Sequence, residues 1–455
     1  MPWRDVGCQE HVCQIPTVSS TPGRAFRDHG VEAILAKQEA SDEVIYLRAA
    51  GLDLGKRFLV ACVRVPHPSQ AGRWLLETEK FGTIPQEIRR LLAWLSDRRV
   101  EVVVLEATSE YWRSVYYLLQ PELNLMLVNP QHLKGIRGRK SDPSDAAFLA
   151  RAGASGMVMA SFVPPQAVRE LRDLTRRRSE MAVMKGQEAQ RLEKELEDTG
   201  LKLTSVLTNV LGVTGRAILS ALIDGQRDPQ ALAALAVSHA KKKTYQLIDA
   251  LDGTFTDHHS WMCRHLLSQI DHLDALIAEL DGRIAQLTRN HDEDLTNLDT
   301  IPGIGRKAAE IIWAETGGDM TQFTTAAHLV SWIGVCPGIN ESAGVNKSAK
   351  TRRGNAHLKK VLGTAALAAI RGKDTYYSVY YRRIAARRGG KRALVALMHK
   401  IVIAIWHVLA SKTTFLDLGA DYLPKRDPQR AMNRMRREAN RLGLTVRFDP
   451  IPQPV

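Results

Sequence analysis

Acidic residues are nearly missing from one stretch of this chain. Between Ser342 and Lys400 stand 15 Lys and Arg against a single acid, Asp374. The protein carries 63 basic and 49 acidic residues in all, so the remainder holds 48 of each, and this one block accounts for the formal net charge of +14. So concentrated a charge suits a polyanion, because each phosphate it neutralises releases condensed counterions. A solvated basic face is the plainer alternative.

Cysteine is also scarce. Of five, Cys62, Cys263 and Cys336 stand alone in apolar surroundings. Cys8 and Cys13 flank His11, but no second ligand pair at zinc spacing follows, which excludes a structural zinc site and a disulfide framework. The opening MPWRDVGCQEHVCQ lacks the apolar core of a signal peptide. No run approaches the roughly 20 apolar residues of a membrane span. The longest apolar segment, Ala393–Ala410, is interrupted by His399, Lys400 and His407 and reads as a core helix. These absences predict a reduced, cytoplasmic, nucleoid-associated protein without membrane contact.

What is present divides the 455 residues into five parts. Residues 1–43 mix Pro, Gly, Ser and charge without periodicity and read as a flexible extension. Residues 44–160 alternate strands and helices, the pattern of an α/β sheet. Within them VIYLRAAGLDLG and RFLVACVRV flank a Gly55-Lys56 turn, a hairpin signal. A helix over 84–99 leads into VVVLE, whose unbroken apolar run predicts a buried parallel strand. A helix over 112–119, a strand over 125–128 and a helix over 143–152 complete the unit.

Residues 161–295 predict a helical coiled-coil arm. Leu266, Ile270, Leu273, Ile277, Leu280, Ile284 and Leu287 recur at alternating spacings of four and three, a three-heptad seam. A partner register runs through Val168, Leu171, Ala182, Ala189, Leu192, Leu196 and Leu203, weakened by Arg178 and Lys185 at seam positions. The two predict an antiparallel pair around residues 204–260. Residues 296–411 form a mainly α C-terminal domain, and 412–455 a tail. That domain opens with LDTIPGIGRKAAEII, a helix-hairpin-helix pattern in which Gly303 and Gly305 free the turn and Arg306 and Lys307 follow at a helix start suited to phosphate. An ordinary helical corner is the plainer reading. Tyr376, Tyr377, Tyr380 and Tyr381, interleaved with Arg382 and Arg383, suit either base stacking or core packing.

Four acids stand out. Asp53 lies near the end of the first strand, Glu106 ends the buried strand, and Asp142 and Asp145 sit three apart at a helix start. Converging carboxylates make an oxygen site for Mg²⁺, and paired metals stabilise the attacking and leaving oxygens of phosphodiester chemistry. Each has a modest alternative: a turn residue for Asp53, cap and first-turn duties for Asp142 and Asp145. Lys134, Arg137, Arg139 and Lys140 make a basic loop between them, and Lys347, Lys350, Arg352, Arg353, Lys359 and Lys360 lie in the basic block.

GLDLGK, LEATSEYW and KGIRGRKSDPSDAAFLA, in that order, resemble the DEDD-type, RuvC-like domain of the IS110 insertion-sequence transposases. IPGIG and SWIGVCPGINESAGVNKSAKTRRGNAHLKKVL resemble the same family's C-terminal domain. The likeness covers about residues 45–410. It implies an RNase H-like (RuvC-like) N-terminal fold, Mg²⁺ held by Asp53, Glu106, Asp142 and Asp145, and DNA as substrate. It further implies a nucleophilic serine forming a transient phosphoserine link, a structured guide RNA, and a homo-oligomer (dimer or tetramer) in which the carboxylate and serine domains meet across subunits. The family's Ser-Gly pair falls on Ser342, but Ala343 intervenes before Gly344, which keeps Ser348 as a rival. A metal-only nuclease using water, and a non-catalytic nucleic-acid-binding protein, are the competing functions.

Overall fold

The computed structural model describes residues 44–107, 109–130, 145–337, 341–342, 345–346 and 350–449. They form two compact units, divided between Val163 and Pro164.

The first unit is a five-stranded mixed sheet: β1 (Ala49–Leu54), β2 (Phe58–Pro66), β3 (Trp74–Gly82), β4 (Val102–Glu106) and β5 (Leu125–Val128). Their spatial order is β3-β2-β1-β4-β5. β1 and β2 make the expected hairpin, closed by the Gly55 amide donating to the Phe58 carbonyl at 3.0 Å. β4 and β5 are parallel to β1 and to each other, as the apolar VVVL run predicted. β3, WLLETEKFG, lies outside the expected elements. Its Glu and Lys residues mask the alternation of an edge strand that pairs along its whole length with β2.

Helices cover both faces. Ala50, Leu52 and Leu54 point to one side, where they pack with Ile88, Leu91 and Leu95 of α1 (Pro85–Asp97) and Val115, Tyr116 and Leu119 of α2 (Trp112–Leu119). On the other side α3 (Asp145–Ala154) crosses β1, with Leu149 and Ala152 against Val104 and Val128. This mixed sheet is compatible with an RNase H-like fold.

The second unit is mainly helical. α4 (Gln166–Asp198) and α9 (Asp257–Thr288) run antiparallel, since Arg178 pairs with Asp281 and Lys185 with Asp274. Leu266, Ile270, Leu273 and Ile284 of the expected seam are buried, whereas Ile277, Leu280 and Leu287 are only partly so. On α4 the register differs from expectation. Ala182 is exposed and Met181 is buried instead, with Thr175 and Arg178 completing the inner face.

At one end of the arm, α5 (Leu203–Val206), α6 (Val213–Ile223), α7 (Pro229–Ala234) and α8 (Thr244–Ala250) fold over Leu192, Leu196 and Ile270 in a separate core. At the other end the main core gathers Val168 and Leu171 of α4 with the helices that follow. These are α10 (Asp292–Asp299), α11 (Arg306–Thr316), α12 (Ala326–Ile333), α13 (Ala356–Ala369), α14 (Tyr376–Arg388) and α15 (Gly390–Ser411). By length and composition alone α15 is apolar enough to span a membrane, which corrects the expectation that no such segment exists. Its Leu397, Ile401, Val402, Ile405 and Leu409 lie in this core, so the core-helix reading stands. Tyr376 and Tyr377 are buried in it as well, and Tyr380 and Tyr381 pack against it. α16 (Tyr422–Arg426) and α17 (Pro428–Arg441) give the expected tail helical structure.

Candidate carboxylate site and serine hairpin

In the first unit the parallel register sets the carboxylates. Gly51 pairs with Val104 and Leu52 with Leu105, so one step further Asp53 and Glu106 stand side by side at the carboxyl ends of adjacent strands. Side chains alternate along a strand. Asp53 therefore shares the face of Gly51, and Glu106 the face of Val104, which is the face covered by α3. The carboxyl ends of parallel strands are where open α/β sheets bind ligands.

Gly51 explains how α3 comes so close. A Cβ there would stand 2.1 Å from the Ala146 carbonyl oxygen and 2.5 Å from the Ala150 nitrogen, both backbone atoms. Gly153 repeats the device against β4, where a Cβ would meet a Val104 methyl at 2.4 Å. With α3 laid on the sheet in this way, its first residue, Asp145, comes within electrostatic reach of Asp53. Partial burial pushes the Asp53 carboxyl above the ordinary aspartate range, and the Asp145 charge pushes it further. Glu106 is partly buried at the same edge. Among the described residues no three His, Cys, Asp or Glu side chains already stand close enough to hold a metal ion. Asp142, Lys134, Arg137, Arg139 and Lys140 lie outside the described residues.

The donor set is nevertheless of the right kind for a hard divalent cation. It consists of carboxylates at the ends of two strands and the start of a helix, and the Asp145 charge adds to the cost of ionising Asp53.

In the second unit Ser342 lies on a short antiparallel pair, β6 (Glu341–Ser342) with β7 (Val345–Asn346), facing Val345. Lys347 and Ser348 fall outside the described residues. The base of this loop is clamped where Pro337 bridges Thr351 and the Arg352 amide donates to the Cys336 carbonyl at 3.4 Å. Two glycines make the clamp sterically feasible. A Cβ on Gly334, whose φ is +80°, would lie 2.8 Å from the Arg352 oxygen, and one on Gly354 would lie 2.2 Å from the Ile333 oxygen. Beyond the clamp Asn355 caps α13, its side-chain oxygen accepting from the Leu358 amide at 3.0 Å.

The basic residues of the block differ in what they already hold. Arg352, Arg353, Lys350 and Lys360 are exposed, while the Lys359 ammonium donates to the Arg352 carbonyl at 2.5 Å. In the helix-turn-helix of α10 and α11, Gly303 takes φ +88° and lies against the Ala365 carbonyl of α13, where a Cβ would stand at 2.1 Å. Gly305, at the start of α11, is open. Arg306 is ion-paired with Asp292 at 2.6 Å and Glu310 at 3.3 Å, and Lys307 with Asp281 at 2.7 Å.

A network that the sequence did not point to lies behind the loop. Glu315 of α11, fully buried, accepts from Arg176 of α4 at 2.7 and 2.9 Å and from the Asn355 amide at 2.6 Å, with Arg172 at 3.5 Å. Burial alone would raise this carboxyl, but those hydrogen bonds and the two guanidinium charges outweigh it and hold it below the usual glutamate range. The only sequence hint was a second acid, after Glu310, in the mostly apolar second half of the helix RKAAEIIWAET.

Comparison with known proteins bears on both units. Residues 50–200 match a family model described as a transposase, of the DEDD type named for IS110, and residues 295–382 match the Transposase IS116/IS110/IS902 family. A transposase for insertion sequence element IS1111A from Coxiella burnetii is 24% identical over 326 residues, covering 70% of this chain and 80% of that protein. A pilin gene-inverting protein of Moraxella bovis is 22% identical over 379 residues, covering 80% and 96%. An insertion element IS110 protein of Streptomyces coelicolor is 29% identical over 119 residues, 26% of this chain and 29% of its own.

Proposed function

With both of these IS110/IS116 transposase domains matched in one chain, we propose that the protein cleaves and rejoins the DNA of an insertion sequence, with the carboxylates and a serine in separate roles. Transposases of this kind bind DNA and catalyse its cleavage and strand transfer. The observation that supports the reading is that Asp53 and Glu106 share one face at the carboxyl edge of the parallel pair β1 and β4, with Asp145 within electrostatic reach of Asp53.

In this proposal Asp53, Glu106, Asp142 and Asp145 hold Mg²⁺, which when bound would neutralise charge on the phosphate under attack. Ser342 is the nucleophile. Its hydroxyl oxygen attacks a backbone phosphorus and gives up its proton. The P–O bond to one deoxyribose breaks, the leaving oxygen is protonated, and a phosphoserine ester remains. Attack on that ester by another strand's hydroxyl restores the serine and completes the exchange. Lys350, Arg352, Arg353 and Lys360, exposed beside the hairpin, supply sequence-independent phosphate affinity, together with Lys134, Arg137, Arg139, Lys140 and Lys347. A guide RNA and a homo-oligomer belong to the same proposal and are supported by the family resemblance.

Covalent trapping tests it. Wild-type protein incubated with a labelled element-end duplex, Mg²⁺ and candidate guide RNA should give a protein–DNA adduct on denaturing electrophoresis. Ser342→Ala should give none while still binding DNA, and Ser348→Ala should keep the adduct. An adduct that survives Ser342→Ala and disappears in Ser348→Ala moves the role to Ser348. Cleavage with no adduct in the wild type favours a water-using nuclease.

A further inference from the structure

A second concentration of positive charge is built from two helices, only one of which belongs to the block of residues 342–400. α17 carries Arg430, Arg434, Arg437 and Arg441 at spacings of four, three and four, which puts them on one face of the helix. α14 carries Arg383 and Arg387 one turn apart, with Arg382 beside them. The fold brings these two stripes together as the walls of one groove of about 560 Å³. That is a volume in the range of ordinary ligand clefts, about 300–1,000 Å³. Val379, Ala386, Leu423, Pro424 and Ala431 give the groove apolar surface between the arginines.

The acids in the lining do little to neutralise it. Asp427 accepts from the Arg430 amide at 3.0 Å as the cap of α17, and Glu438 reaches Arg434 only at 4.0 Å. No carboxylate among the described residues pairs with Arg383, Arg387, Arg430 or Arg441. Like charges one turn apart oppose helix formation, and two such stripes facing one another across a cleft add to the repulsion. An anion in the cleft reverses the sign of every one of those terms. Arginine rather than lysine in all seven positions favours planar, two-pronged contact with phosphate oxygens.

We propose that this groove binds a single polynucleotide strand, with phosphates on the two arginine stripes and sugars and bases against the apolar floor. A positively charged groove that tracks the backbone is one half of the pattern of single-strand sites, and here aliphatic side chains stand where such sites carry aromatic rings. A duplex is a poorer fit, because its phosphates lie on a convex surface and its bases are stacked away from any floor. The proposal rests on the nucleic-acid-acting function above for the nature of the polyanion, and both DNA and RNA strands carry the chemistry required.

The test is binding of full-length protein to fluorescent oligothymidine and oligouridine over a salt series. The fourfold variant Arg383→Ala, Arg387→Ala, Arg430→Ala, Arg441→Ala should bind at least about tenfold more weakly near 0.1 M salt, and its log-affinity against log-salt slope should be shallower by about 3. The corresponding fourfold lysine variant should recover most of the slope, and neither variant should melt below the wild type. Preference for uridine or thymidine oligomers identifies the strand. An unchanged slope in the alanine variant, equal competition by duplex DNA, or equal competition by polyglutamate would overturn the proposal. If groove variants bind strands as the wild type does and adducts still form on element ends, the groove alone fails. If strands bind through the groove and no cleavage is ever seen, the strand-transfer function alone fails.

Discussion

The side-chain amide of Asn355 donates to the buried carboxylate of Glu315 at 2.6 Å, and through it the base of the serine loop is tied to the helical arm. The same Asn355 caps α13, and the same Glu315 takes the fork of Arg176 from α4. Three helices and one loop end therefore depend on a single buried charge.

Glu315→Ala should destabilise the second unit by about 3–5 kcal/mol, because it removes the carboxylate that Arg176 and the Asn355 amide share in a largely buried site, although Arg172 keeps its bonds to the Ala314 and Glu315 carbonyls. The pH dependence follows from the lowered carboxyl of Glu315. A group with a depressed native pKa binds its proton more readily in the unfolded chain. Its stabilisation is present above the ordinary glutamate range and lost as pH falls through the native value. Thermal melts of wild type from pH 7 downward should fall more steeply than those of Glu315→Gln. Parallel curves would show that the charge contributes nothing.

Asp53→Asn should abolish strand cleavage without costing stability. The carboxyl is raised by burial and by Asp145, so its ionised form is disfavoured in the folded protein. For such a group stability declines as pH rises through the native pKa, and removing the charge relieves that decline. In metal-free buffer at neutral pH the variant should melt at or slightly above the wild-type temperature. Added Mg²⁺ should raise the wild-type melting temperature more than that of the variant. An equal Mg²⁺ shift in both would remove Asp53 from the metal site.

Gly51→Ala should cost about 1–3 kcal/mol in the first unit, since the new methyl meets backbone atoms of α3 that cannot rotate away. It should also lower cleavage activity out of proportion to the folded fraction, because α3 must lift and carry Asp145 away from Asp53. Wild-type activity per folded molecule, measured with the folded fraction from circular dichroism, would argue that the spacing of these two acids is not critical.

Along the arm, sensitivity should follow burial rather than heptad position. Ile284→Ala, at a fully buried site, should cost about 2–5 kcal/mol. Ile277→Ala, on the same seam but only partly buried, should cost clearly less, and Ile277→Lys should be tolerated better than Ile284→Lys. Equal losses from the two alanine variants in chemical denaturation would mean that Ile277 is covered by a partner in solution.

Much of this arrangement was legible in the residues themselves. Unbroken apolar runs identified β4, the four-three spacing identified α9, and the acids at Asp53 and Glu106 were conspicuous because each lies at or next to the end of a strand with no other charged residue. Local patterns of this kind survive in the sequence because burial acts on every second residue of a strand and on every third or fourth of a helix. Other features came only from the fold. β3 was hidden because an edge strand exposed on one side tolerates Glu and Lys. The role of Gly51 could not be read, since the atoms it must avoid belong to a helix almost a hundred residues away. Glu315, Arg176 and Asn355 lie on three separate helices or their caps, and α14 and α17 each look like an ordinary solvated basic helix. Chain folding alone decides whether such charges lie dispersed or face one another, because electrostatic energy depends on distance in space and the sequence records only distance along the chain.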